Sequence, residues 1–154
     1  MKKNFLALTL PFLSTQLFSA TSVDLQLRGS VPIVVSISVT AETIATSLPL
    51  NVTQSNTRVA RVTEKTNGTN GYRVIVESVN KGKLVRAGGS EQFSYGLQYN
   101  GVVLNLTNPA PILYSSSLRG EQVRDVHISY TGVPTEAMIV GDYMDTVTFS
   151  IAPN

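Results

Sequence analysis

Residues 23–39 read VDLQLRGSVPIVVSISV, and every second residue from Val23 through Val39 is apolar except Gly29. Successive side chains of a strand point to opposite faces, so this alternation describes strand with one buried face. Strands usually run about 3–10 residues. Seventeen residues in one frame would span roughly 56 Å. A folded domain of ~134 residues is roughly 36 Å across. The run must therefore bend, or its first part must leave the domain. Gly29-Ser30-Val31-Pro32 is the natural break, because glycine is conformationally free and proline lacks an N–H. After the break, Val31–Val39 reads as the first strand of a domain. Before it, Val23, Leu25 and Leu27 form a short amphipathic segment in the same frame, with Gly29 as the point of departure.

The start of the chain reads differently. Lys2 and Lys3 precede FLALTLPFL and STQLFSA, the charged, apolar and small-residue regions of a secretory signal peptide. Cleavage is expected after Ala20, with Ser19 as the alternative. This gives three parts: a signal at 1–20, an extension at 21–30 and a domain at 31–154. The whole chain has net charge +2, but residues 1–20 hold two lysines and no acid. The remainder carries ten basic and ten acidic residues. It offers no basic face, so nucleic acid is not an expected partner. No later run approaches the ~20 apolar residues of a transmembrane helix. There is no cysteine. Charged residues are 14%, against about 25% in ordinary domains.

The remaining pattern is short alternating runs between turns. GYRVIVESV turns Tyr72, Val74 and Val76 one way, and FSYGLQY does the same with Phe93, Tyr95, Leu97 and Tyr99. Asn100-Gly101 then gives the strongest short hairpin signal. LPLNV (48–52) reads as a short strand and TRVARVTE (57–64) as another, without a clear inward face. Pro109 and Pro111 bar 107–122 from a central strand, leaving a loop or a sheet edge. VRDVHISY directs Val126, Ile128 and Tyr130 inward. Seven or eight such strands predict a single all-β domain, an Ig-like Greek-key β-sandwich, with a closed barrel as the alternative.

Catalytic and metal chemistry find little footing. His127, the one histidine, alternates with Asp125 and Ser129. Neighbours on one strand face are ~6.5–7 Å apart, too far for the ~2.6–3.2 Å contacts of a triad. Asp142 and Asp145 lack the glycine-spaced acidic loop of a calcium site. Sequons occur at Asn51, Asn67 and Asn105. The expectation is no enzyme, no cofactor and no metal.

The terminal stretch GDYMDTVTFSI resembles the last strand of spore-coat-protein-U-type domains, the family that includes the archaic chaperone–usher pilins. Gly141, Tyr143, Asp145, Thr146, Val147, Phe149 and Ile151 match its Gly-x-Tyr-x-Asp-Thr stretch and the apolar positions after it. The resemblance implies a sandwich lacking its final strand, completed by a neighbour's N-terminal donor strand. It implies a fimbrial or coat subunit, exported through the periplasm to the cell surface. Its partners would be identical or related subunits, with a periplasmic chaperone and an outer-membrane usher during assembly. Val23, Leu25 and Leu27 would then be the subunit contact. Two alternatives stay open. The segment could complete its own domain, or the protein could be a monomeric exported module that binds carbohydrate or another surface ligand.

Overall fold

The computed structural model describes residues 21–116 and 120–154, so the expected signal peptide lies outside the described residues. Eleven strands follow in order: β1 (Val35–Ala41), β2 (Gln54–Thr66), β3 (Tyr72–Ser78), β4 (Lys83–Arg86), β5 (Gln92–Ser94), β6 (Gly96–Tyr99), β7 (Val102–Leu104), β8 (Ala110–Tyr114), β9 (Gly120–Tyr130), β10 (Tyr143–Met144) and β11 (Val147–Pro153). Their sheets have the orders β1-β2-β9-β6-β7, β11-β3-β8 and β10-β4-β5. Every pairing is antiparallel. The architecture is an all-β sandwich.

Alternation explains the core. Tyr72, Val74 and Val76 of β3 and Val126, Ile128 and Tyr130 of β9 are all buried and belong to one core cluster. The indistinct inward face of β2 has a specific cause. Arg58 pairs with His127 but Ala60 with Val126, so Val59 is an extra residue. This bulge buries both Val59 and Ala60, which breaks the two-residue period as bulges do. FSYGLQY keeps one apolar frame while serving two sheets, since β5 pairs with β4 and β6 with β9. Asn100 and Gly101, at φ 49° and 79°, form the two-residue turn that only such residues adopt without strain.

Two boundaries differ from the sequence expectation. LPLNV is not a strand: a 3₁₀ turn at Thr43–Thr46 precedes it, and the Val52 N–H bonds the Pro49 carbonyl at 3.0 Å. Within 107–122, β8 lies at the edge of its sheet beside β3, one of the two expected readings, and includes Pro111. The first strand begins at Val35 rather than Val31, because β2 ends at Thr66 and Pro32 has no N–H for a ladder. Pro32–Asn154 form one compact unit, which begins within the Gly29–Pro32 break. Residues 21–31 form no helix or strand.

Candidate functional site: the seam between the first and last strands

β1 is the edge of the five-stranded sheet and β11 the edge of the three-stranded sheet that contains it. Their Cα atoms approach within 8 Å without pairing. Each strand thus has one edge with no ladder partner among the described residues, a template for strand addition. The apolar rows flanking this seam are only half covered. In β11, Val147, Phe149 and Ile151 are half-buried while Thr148 and Ser150 are exposed. In β1, Val35 and Ile37 are half-buried and Val39 is 49% exposed. Inward residues elsewhere are fully buried: Val74 and Val76 are 0% exposed. Where β11 begins, a hollow of about 120 Å³ is lined by Leu48, Val59, Leu84, Leu97, Ile128 and Val147.

The resembling terminal residues build this seam from one end. The Asp145 carboxylate accepts from Ser78 Oγ and Tyr95 OH, both at 2.6 Å. It also accepts from the backbone N–H of Asn80 at 3.0 Å and of Thr146 at 2.8 Å. One side chain therefore ties the start of β11 to the ends of β3 and β5. Four donors occupy the two carboxylate oxygens. Tyr143 OH donates to the Ile139 carbonyl at 2.9 Å. Gly141 has φ +149°, and a Cβ there would stand 3.0 Å from the Arg86 side chain. Thr146 contributes its backbone, and Val147, Phe149 and Ile151 form the inward row.

Behind Phe149 lies a group the sequence did not reveal. Glu64 is 0% exposed. It accepts from Tyr72 OH at 2.6 Å, from Tyr99 OH, and from Arg124 Nε at 3.2 Å. Tyr99 packs on Phe149 with ring centroids 5.6 Å apart, and Tyr72 stacks on Tyr114 at 4.7 Å. The Arg124 guanidinium lies 5.1 Å above the Tyr114 ring. A buried carboxylate is costly unless paired and fully bonded, and here two sheets supply its donors. The one available signal was a Glu in the frame Val62-Glu64-Thr66, which the bulge obscured.

These bonds hold the tyrosines neutral. Burial, aided by the Glu64 carboxylate and opposed by Arg124, pushes Tyr72 up from near 10 to about 12. Burial and the neighbouring carboxylates likewise raise Tyr95 and Tyr99. A raised tyrosine contributes stability that is intact below its unfolded pKa and is lost as pH climbs through the folded one. Stability is therefore expected to be unaffected by these tyrosines up to pH ~10 and to fall steeply from there to about 12, with Tyr72 alone contributing about 2–3 kcal/mol. Absorbance at 295 nm should rise together with loss of strand circular dichroism. Ionisation of Tyr72, Tyr95 or Tyr99 near pH 10 with the fold intact would contradict the buried bonds.

On the His127 face, Asp125 and Ser129 are engaged by other residues. His127 alternates with the buried Val126 and Ile128. Asp125 faces Arg58 and Arg61 at 3.7 and 3.8 Å, and Ser129 Oγ accepts from the Asn56 N–H at 2.8 Å. His127→Ala is expected to change unfolding free energy by less than about 0.5 kcal/mol; denaturant melts of the two proteins check this. Among the described residues no three His, Cys, Asp or Glu gather as metal ligands, and no helix is long and apolar enough to cross a membrane.

Val23, Leu25 and Leu27 are 94, 83 and 87% exposed. Of the tyrosines, Tyr99 and Tyr130 are buried and Tyr95 and Tyr114 half-buried. The fold and seam define an antiparallel β-sandwich with two unpaired edges side by side. No protein-family model and no curated protein sequence matches this chain.

Proposed function

We propose that the protein is a structural subunit of an exported surface polymer, a fimbria or coat, in which Val23–Leu27 of one copy enters the β1–β11 seam of the next. The observation that carries this reading is the pairing of an unfilled seam with an exposed segment of matching period. Val23, Leu25 and Leu27 repeat at the spacing of Val147, Phe149 and Ile151, so three side chains meet three. Main-chain bonds to the two free edges would supply affinity, and the alternate side chains specificity. A strand between two others needs about 9.6 Å between its neighbours. β1 and β11 come within 8 Å, so entry spreads the seam, and the hollow beside Val147 takes apolar side chains as it opens. The resemblance of the terminal strand adds a periplasmic chaperone and an outer-membrane usher as assembly partners and the cell surface as destination. No catalytic role, cofactor or metal belongs to this reading. On unheated gels the full chain should run as a ladder that collapses to one band on boiling.

One observation favours the second reading, a monomeric binding module. A depression of about 270 Å³ at the loop end is lined by Leu50, Met138, Ile139, Val140 and Tyr143, and Val140 is 91% exposed. A single species on the unheated gel would select that reading.

A further inference from the structure

Asn67 grips the root of the N-terminal extension. Its Oδ1 accepts from the Val34 N–H at 2.7 Å, and its Nδ2 donates to the Pro32 carbonyl at 2.9 Å. Its backbone N–H bonds the Val34 carbonyl at 3.2 Å. Val34 opposite Asn67 continues the β1–β2 register, in which Val35 pairs with Thr66. Residues 32–34 are thus held extended, in line with β1, past the last residue of β2. Both polar atoms of the Asn67 amide are engaged in this grip.

The register gives the grip a consequence. To fill its own seam, the extension must reverse and pair antiparallel with the free edge of β1. The inward row of β1 is Val35, Ile37 and Val39, and directly opposed residues share a face. Val23, Leu25 and Leu27 face inward only if each opposes one of these or its equivalents two residues on. With 32–34 held straight, the reversal must fit within residues up to Val31. The deepest in-frame hairpin then turns through Gly29–Val31, a three-residue loop. It places Leu27 opposite Ile33, Leu25 opposite Val35 and Val23 opposite Ile37. Val39–Ala41 stay uncovered. These lie at the end of the seam where β11 begins, beside the hollow lined by Val59 and Val147. If the Asn67 side chain lets go, residues 32–34 are free to join the turn, and the in-frame hairpin centred on Pro32 comes within reach. Leu27 then meets Ile37, Leu25 meets Val39 and Val23 meets Ala41. The whole inward row is covered.

We infer that Asn67 is a positioning residue that prevents the extension from completing its own sandwich and so keeps the seam open for a second copy. A neighbour's segment arrives without a hairpin and is not bound by the register limit. The inference rests on the strand-exchange reading above, and the experiment separates the two.

Full chain is refolded at high dilution with excess fluorescent peptide of sequence Thr21–Val31, and bound peptide per chain is measured by gel filtration. Wild type should take up peptide. Asn67→Ala removes both side-chain bonds, each of ordinary net strength, and should lower uptake about tenfold while the monomer becomes more heat-stable. Asn67→Asp keeps the acceptor for Val34 and loses the donor to Pro32, so it should fall between the two. It also serves if the alanine variant does not fold. Amide exchange at Val34 reports release of the grip. Equal uptake by all three proteins overturns the role of Asn67 and leaves the strand-exchange reading standing. No uptake by wild type overturns both.

Discussion

Glu64→Ala is expected to lower the unfolding free energy by about 3–5 kcal/mol, against a total of about 5–15 kcal/mol for a domain. The carboxylate is fully buried and takes bonds from Tyr72, Tyr99 and Arg124. Its removal leaves two hydroxyls and a guanidinium facing each other without an acceptor. The buried Tyr114 hydroxyl already has no partner, so it adds a fourth polar group and no relief. The urea midpoint should fall by about 2 M, given a slope of about 1–3 kcal/mol per M. Glu64→Gln keeps a carbonyl acceptor and should lose less. Glu64→Leu combined with Tyr72→Phe and Tyr99→Phe should regain much of the loss, since apolar groups of similar shape replace both sides of the bonds. A cost below about 1 kcal/mol for Glu64→Ala would mean that these donors do not converge on the carboxylate in solution.

Leu25→Asp or Leu27→Asp is expected to abolish the polymer and leave the domain's melting temperature unchanged. Each aliphatic side chain buried in a neighbour's seam contributes about 1.5–3 kcal/mol, and three act together along one strand. An aspartate in that apolar row would be an unpaired buried charge, a heavy cost. The domain's own core, from Val59 to Tyr130, does not include these residues. Unheated gels and thermal melts of the same samples read the two effects separately. Unfolding of an isolated monomer by Leu25→Asp would show that the segment completes its own sandwich, and the binding-module reading would replace the polymer.

The sequence by itself determined the strands that have one dry face. Val74, Val76, Val126 and Ile128 fall on period two because a sheet face admits no other spacing, and Asn100-Gly101 marks its turn because few residues accept positive φ. It also marked 23–39 as too long for one domain and set the inward frame of the last strand. Tertiary structure decided everything that depends on a partner strand. Whether β2 bulges at Val59 depends on its register with β9, and that bulge hid the inward position of Glu64. Where FSYGLQY changes sheets depends on β4 and β9, not on its own unbroken apolar frame. The amide of Asn67 reads as a turn residue or a sequon until β1 is laid beside it. The seam itself is a relation between β1 and β11, two edges more than a hundred residues apart in the chain. Local pattern fixes which way a side chain points, while only the packed sheets determine what it meets.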